Sequence, residues 1–265
     1  MENEKYTLIT GARSGLGKEI AIYCGKLGMN LLLVSLPGKD LKDVAGVISK
    51  EFNVKVNFLE IDLSKVDAPV EILNWVKNNN YRVNILINNA ARGGTIQFEV
   101  SDLMYNDYRI QLNIRTLIVL INLFLPILKE NDKAYILNVS SLSAFFSIPY
   151  KSLYSSTKAF VVHFSRALRY ELRNTTVSVS VVCPNGIRTN VNSIARINTH
   201  GRIGRFVSLD PEKIAKLSVD GMLKGKLIII PGFSSKILLV LKNFLPSSLL
   251  QKILWKEFRK EIQDN

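Results

Sequence analysis

The chain has 265 residues, 47% of them hydrophobic and 22% charged, which supplies enough apolar surface to offset chain entropy and excludes wholesale disorder. Its length suits one α/β domain built around a single sheet. A formal net charge of +13 favours anionic partners, yet Lys and Arg are spread along the chain without a helix-turn-helix, zinc-finger or aromatic-basic pattern, so no nucleic-acid partner is expected.

Apolar runs rich in β-branched residues alternate with longer segments of helical period. In chain order the predicted strands are Tyr6 to Ile9, Leu31 to Val34, Val54 to Ile61, Val83 to Ile87, Ala134 to Val139, Val177 to Cys183 and Leu227 to Ile230. Helical stretches lie between them, such as Leu41, Val44, Ile48 and Phe52 on one face after an N-cap candidate at Asp40. Strands that are apolar throughout suit a parallel sheet covered by helices on both faces. The expected fold class is therefore α/β, a doubly wound parallel sheet of seven strands in one domain. Residues 1–233 form the sheet-bearing unit, and residues 234–265 a C-terminal helical extension of the same domain. Two segments leave the alternation: Asn190 to Asp210 reads as a mobile loop, and Ser234 to Lys260 as two short helices broken at Pro246. Cys24 and Cys183 lack metal-ligand spacing and read as small buried side chains, so no metal is expected. The polar start Met1 to Lys5 does not resemble a signal peptide, and a cytoplasmic location is the expectation.

After the first strand comes Thr10-Gly11-Ala12-Arg13-Ser14-Gly15-Leu16-Gly17, opening a helical segment. Glycines at 11, 15 and 17 permit a tight turn and close approach of a pyrophosphate, which the helix N-terminus then faces with unpaired N–H groups. This turn, with Asn88-Asn89-Ala90 after the fourth strand and a Ser followed by Tyr-x-x-x-Lys, resembles the short-chain dehydrogenase/reductase family over about residues 5 to 232. The resemblance implies a Rossmann-type sheet, a bound NAD or NADP and a tetrad that falls on Asn113, Ser141, Tyr154 and Lys158. It further implies cofactor contacts from Gly11, Arg13, Ser14, Gly15, Leu16, Gly17, Asn89 and Ala90. Ser141 rather than Ser140 is chosen by its family-like separation from Tyr154.

The spacing of Tyr154 and Lys158 also makes chemical sense by itself. Four apart on a helix, the two side chains share a face. A phenol is a poor base at neutral pH, but an ammonium roughly 4 Å away stabilises the phenolate by up to a few kcal/mol at an effective dielectric near 20. Tyr154 would then protonate a carbonyl oxygen in reduction, or accept the alcohol proton in oxidation. Ser141, at the end of strand five, would hold the same oxygen. The resemblance implies that Lys158 also binds the nicotinamide ribose and that Asn113 supports a water linking Lys158 to solvent.

Ser35 occupies the place where an acidic residue would select NAD, and Arg13, with Lys39, lies near where a 2′-phosphate would sit, so NADP(H) is favoured over NAD(H). Asp62-Leu63 matches where relatives contact adenine, although Asp62 serves equally as a helix cap. Ala91 stands where Gly commonly follows Asn-Asn-Ala, and Pro184-Asn185-Gly186 replaces the usual Pro-Gly, with Asn185 tolerant of positive φ. Ile187 and Thr189 remain at positions that bind the carboxamide and phosphate in relatives.

Arg196, His200, Arg202 and Arg205 punctuate the 190–210 segment, either as a solvated lid or as a grip on an acidic substrate group; His200 has no evident partner there. The tail from Lys236 to Lys260 is apolar on one side and basic on the other. It suits peripheral contact with an anionic bilayer, the roof of a greasy pocket, or packing in a homodimer or homotetramer. The expected function is an NADPH-dependent reductase of a hydrophobic or acyl-type ketone or aldehyde, taking a small-molecule carbonyl or alcohol substrate. The alternative is a non-catalytic dinucleotide-binding regulator of the same fold.

Overall fold

A computed structural model describes residues 4–38, 40–189 and 191–263, with the side chains of 191, 192, 196, 202, 203, 205 and 263 excepted. Lys39, Asn190 and the side chains of Arg196, Arg202 and Arg205 therefore lie outside the described residues. The elements in order are β1 (Lys5–Thr10), α1 (Gly15–Lys26), β2 (Asn30–Ser35), α2 (Asp40–Phe52), β3 (Val56–Glu60), α3 (Ala68–Asn78) and β4 (Arg82–Asn88). A long helix follows, made of α4 (Leu103–Ile110), a π-turn (Gln111–Arg115) and α5 (Thr116–Lys129). Then come β5 (Ala134–Val139), α6 (Ser152–Glu171), β6 (Val177–Val182), α7 (Val191–Thr199), α8 (Gly201–Val207), α9 (Pro211–Leu223), β7 (Ile228–Ile229), α10 (Phe233–Leu241) and α11 (Ser247–Gln263).

The strands form one seven-stranded parallel sheet in the order β3-β2-β1-β4-β5-β6-β7. Alternate residues of the apolar strands enter opposite cores, as the two-residue side-chain period requires. Leu8, Leu32, Leu86, Ile136 and Val179 share one core with Ile72, Phe124 and Val161 from α3, α5 and α6. Ile9, Leu33, Ile87, Leu137 and Val182 share the other with Ile20, Ile48 and Val219 from α1, α2 and α9. Both edges fall short of the expectation: β3 is shorter than Val54 to Ile61 and exposes Phe58, and β7 has two residues instead of Leu227 to Ile230. The strand order reverses direction between β1 and β4, the point beyond whose carboxyl ends open α/β sheets bind their ligands.

The helix from Leu103 to Lys129 is long and apolar enough to cross a membrane by length and composition. Its apolar face is accounted for by the sheet, since Leu117, Leu120, Ile121, Phe124 and Leu128 are buried in the first core. The segment from 190 to 210 corrects the expectation of a loop, because most of it is helical in α7 and α8. Helices this short depend on tertiary packing rather than propensity. Here Ile197 is buried, and a Cβ on Gly204 would lie 2.3 Å from the Ile197 carbonyl oxygen, so only glycine lets the two helices meet. The tail forms two helices separated around Pro246, as the sequence indicates.

Candidate active site

The glycine turn is shaped by what it cannot hold. A Cβ at Gly17 would fall 2.1 Å from the Gly11 carbonyl oxygen, and one at Gly11, where φ is +69°, would fall 2.9 Å from the Cα of Ala90. The α1 N-terminus thus lies close against the turn, and the Ser14 side chain makes no capping hydrogen bond to it. Backbone N–H groups at such a helix end suit a pyrophosphate. Thr10 and Asn89 fix the turn to β4. The Asn89 and Ala90 N–H groups donate to Thr10 Oγ1 at 3.0 and 3.1 Å, and Asn89 Nδ2 donates to the Thr10 and Gly11 carbonyls at 3.0 and 3.2 Å. Thr189 stands over the turn, its Cγ2 3.3 Å from where a Gly15 Cβ would be, while its N–H donates to Ser193 Oγ. These residues fit a dinucleotide.

Arg13 reaches the loop after Ser35, where Nη1 donates to the Pro37 carbonyl at 3.2 Å. A guanidinium is thereby held beside the end of β2, although Glu60 shares the loop by accepting from the Gly38 N–H at 3.1 Å. Asp62 caps a tight local turn rather than α3, since its Oδ1 accepts from Ser64 N and Oγ at 3.0 and 2.8 Å, and Leu63 beside it is buried. Pro184 accepts from the Leu142 N–H at 2.7 Å, and Ile187 bridges to Leu209, so the chain passes beside Ser141 before turning into α7. Asn185 does not use its tolerance of positive φ. Among the described residues the non-glycines with positive φ are Asn53, Asn80 and Tyr150, and the Pro-Asn-Gly segment needs no left-handed residue.

The four tetrad positions lie on three elements. Lys158 on α6 is only 3% exposed, its Nζ donating to the Val139 carbonyl at 2.9 Å and lying 5.9 Å from the centre of the Tyr154 ring. Burial lowers its pKa to about 8, opposed weakly by the neighbouring Cys183, whose own thiol burial pushes up to about 12. The ammonium therefore remains largely protonated at neutral pH and the thiol stays neutral. The Tyr154 ring lies 3.7 Å from where a Gly93 Cβ would sit, so the segment from Ala90 to Gly93 that follows β4 runs from the glycine turn to the phenol. Ser140 and Ser141 separate by environment. Ser140 is buried and donates to the Lys158 carbonyl at 2.7 Å, whereas Ser141 is half-buried and caps a short 3₁₀ turn by accepting from Ser143 N at 3.2 Å. Asn113, in the π-turn, accepts from Arg92 N at 2.8 Å and donates to the Arg92 carbonyl and Thr157 Oγ1 at 3.1 and 3.2 Å.

A family model described as short chain dehydrogenase matches residues 5–199. The chain belongs to the short-chain dehydrogenase/reductase family. It is 30% identical over 196 residues to very-long-chain 3-oxoacyl-CoA reductase-A of Danio rerio, a match covering 72% of this chain and 61% of that protein. A short-chain dehydrogenase of Sphingobium yanoikuyae in complex with NADPH is 27% identical, with a TM-score of 0.78 over 86% of this chain and 88% of that one. A family protein of Burkholderia phymatum in complex with NAD shares the fold at 21% identity, with a TM-score of 0.79 over 92% and 95% of the two chains.

Around this dehydrogenase/reductase site the structure adds residues to which the sequence reading gave no role. Thr10 and Thr157 hold the glycine turn and Asn113, and a buried chain runs from Asn88 Nδ2 to Asn138 Oδ1 and from Asn138 Nδ2 to Ser165 Oγ, each at 2.9 Å, pinning β4, β5 and α6 together. The C-terminal extension is then tied to the segments that follow β4 and β5 and to α7. Lys242 donates to the Phe145 carbonyl at 2.7 Å, just beyond Ser141. Glu261, 3% exposed, accepts from Lys151 Nζ at 3.1 Å and from Thr95 Oγ1. His200 corrects the expectation of no partner: its Nδ1 lies 3.0 Å from Glu257 and its Nε2 2.6 Å from Glu261. The hydrogen bond that His200 donates to Glu261 raises the imidazole pKa against its burial, with Glu257 adding to the rise. Burial alone would push Glu261 up, but His200, Lys151 and Thr95 together hold it down at about 2. An imidazolium with two donors satisfies both carboxylates.

Proposed function

We propose that the chain is an NADPH-dependent reductase of a hydrophobic or acyl-type ketone, with Tyr154 as general acid. The observation that carries the reading is the Tyr154 ring on the Gly93 backbone, with a buried Lys158 on the same helix face and the half-buried Ser141 at the end of β5. A nicotinamide dinucleotide held by the glycine turn, Asn89 and Thr189 would supply the hydride that the carbonyl carbon receives. Tyr154 gives its phenolic proton to the carbonyl oxygen, and Ser141 donates a hydrogen bond that fixes that oxygen. The Lys158 ammonium stabilises the phenolate left behind until solvent returns a proton. Asn113 keeps the Arg92 backbone, and thus the Gly93 platform under the phenol, in place. Arg13 beside the Ser35 loop supports NADPH over NADH. The apolar extension over the cleft, together with the 3-oxoacyl-CoA reductases among the relatives, supports a long acyl or similarly greasy substrate.

On its outer side the extension exposes Phe233, Val240, Phe244 and Leu249 among Lys236, Lys252 and Lys256, which supports peripheral contact of a cytoplasmic protein with an anionic lipid surface. The decisive assay follows NADPH and NADH oxidation by the purified chain across ketones and 3-oxoacyl thioesters of increasing length, beside Tyr154→Phe. Equal rates for wild type and variant on every active substrate would remove the phenol from the mechanism.

A further inference from the structure

Near the phenol lies a cation with no part in the reaction just described. Arg109 on α4 is 1% exposed, and its Nε and Nη2 have no hydrogen-bond partner among the described residues. Its guanidinium carbon lies 5.4 Å from the centre of the Tyr105 ring. The Tyr105 hydroxyl donates to the Gly93 carbonyl at 3.1 Å, and a Cβ on the same Gly93 would lie 3.7 Å from the Tyr154 ring. Arg109 also shares a narrow crevice with Tyr150, Lys151, Ser152 and Leu153, the residues that lead into Tyr154. The crevice is too small to admit a water molecule, so the field of the guanidinium reaches its neighbours with little screening.

The titratable groups that face it come from three places. Tyr105 lies one turn earlier on α4, Arg92 lies on the segment after β4, and Tyr154 lies on α6 with Lys158 one turn further along, 5.9 Å from the Tyr154 ring centre. Lys151, at the edge of the crevice, is already paired with Glu261 at 3.1 Å. Burial pushes the guanidinium pKa down, the phenols of Tyr105 and Tyr154 oppose this, and Arg92 adds to the fall. The groups within reach that can take a negative charge are therefore two phenols. Tyr105 spends its proton on the Gly93 carbonyl, which holds it neutral and leaves Tyr154 as the one that ionises.

We propose that Arg109 is a positioning residue for proton transfer, its buried charge stabilising the phenolate that forms when Tyr154 protonates the substrate, so that Tyr154 is the stronger acid for it. Before transfer the guanidinium faces two neutral phenols and its burial is uncompensated. The O–H bond of Tyr154 then breaks, the proton bonds to the carbonyl oxygen, and the electron pair left on the phenol oxygen supplies the missing counter-charge. Lys158 acts on the same oxygen from α6, whereas Arg109 acts from α4. The inference rests on the proposed reading in taking Tyr154 as the proton donor; the coupling of Arg109 to Tyr154 is measurable without turnover.

The test is an ultraviolet titration of tyrosinate in the full chain, with Tyr154→Phe in each background as the blank that isolates this one phenol. The expected result is an ionisation midpoint about one pH unit higher in Arg109→Met than in wild type, about a tenfold loss of acid strength, as removal of a nearby unit charge at an effective dielectric near 20 implies. The difference persists at high salt, because mobile ions do not enter the crevice. Arg109→Gln, polar where Met is apolar and equally uncharged, gives the same shift, so that the effect follows charge and not shape; it also stands in should Arg109→Met not fold. In turnover, reduction requires the protonated phenol, so the rate falls as pH rises through the Tyr154 midpoint. That fall moves upward by the same interval in Arg109→Met, with KM within a few-fold of wild type. An Arg109 that only held the fold together would lower melting temperature and kcat and leave the midpoint in place; an unmoved midpoint in a folded variant overturns the proposal. If Tyr154→Phe turns over as fast as wild type, the reductase reading fails on that ground, while the titration still decides whether Arg109 and Tyr154 are coupled.

Discussion

The two walls of the cleft are built on different principles. On the dinucleotide side, the ties join neighbours of the sheet's switch point: Thr10 and Asn89 lock β1 to β4, and the glycines leave no space that a side chain could enter. On the substrate side, three separate segments are held by a few polar anchors reaching across the chain, with Glu261 gathering Thr95, Lys151 and His200, and Lys242 reaching Phe145. A pyrophosphate demands a fixed array of backbone donors, so its wall has no freedom. A greasy substrate asks mainly for apolar cover, and that cover needs to be tethered, not templated.

The largest effects should fall where the walls meet. Tyr154→Phe should lower kcat by roughly 10²–10⁴, the range for removing a positioned proton donor, while NADPH affinity measured by fluorescence stays within a few-fold of wild type. A parallel loss of cofactor affinity would mean that the ring holds the site together instead of transferring a proton. Next comes Gly17→Ala on the dinucleotide wall. The added Cβ would collide with backbone at 2.1 Å, so helix and turn must separate, with an expected cost of about 3 kcal/mol in unfolding free energy and loss of measurable cofactor binding. Denaturant melts with and without NADPH test both halves of that statement.

Glu261→Ala tests the tethered wall. It leaves Lys151 and His200 without their shared carboxylate, and an expected loss of about 3 kcal/mol falls on the docking of the extension rather than on the sheet. Protection of α11 amides from hydrogen exchange should vanish while strand amides remain protected, and KM should rise more than kcat falls. The pH dependence has a definite sign. Glu261, lowered from 4.5 to about 2, contributes stability that is complete above 4.5 and lost as pH falls towards 2. His200, raised from 6.5, contributes stability that is complete below 6.5 and lost as pH rises through its higher folded value. The tether is therefore strongest between these limits, and proteolysis of α11 should be slowest there. A flat protection profile in Glu261→Ala alone would assign the dependence to this pair.

The same contrast explains what could be read from residues alone. The dinucleotide wall was legible because its constraints are local: Gly-x-x-x-Gly-x-Gly follows a strand, and Tyr154 and Lys158 lie one helical turn apart. Ser140 is spent on the Lys158 carbonyl, which leaves Ser141 as the serine proposed to hold the substrate oxygen. The tethered wall was not legible. His200 lies 57 and 61 residues from Glu257 and Glu261, and nothing in spacing signals that encounter. The helices α7 and α8 span 9 and 7 residues, too few for an apolar period to stand out from a polar loop.

The smallest effect sharpens the comparison most, because it touches the tethered wall without disturbing a buried charge. Lys242 is half-exposed, donates to the Phe145 carbonyl and lies 5.3 Å from the centre of the Phe146 ring. Lys242→Met keeps the apolar stem and deletes the charged head, at an expected cost of about 1 kcal/mol, the usual scale of one hydrogen bond with a partly solvated cation–π contact. If the extension is held by separable anchors, that loss should add to that of Glu261→Ala within about 0.5 kcal/mol, since the two share no hydrogen-bond partner among the described residues. A double variant that loses much more than the sum would show α10 and α11 docking as one cooperative unit. In that case the substrate wall would resemble the dinucleotide wall in rigidity, and the distinction between templated and tethered cover would disappear.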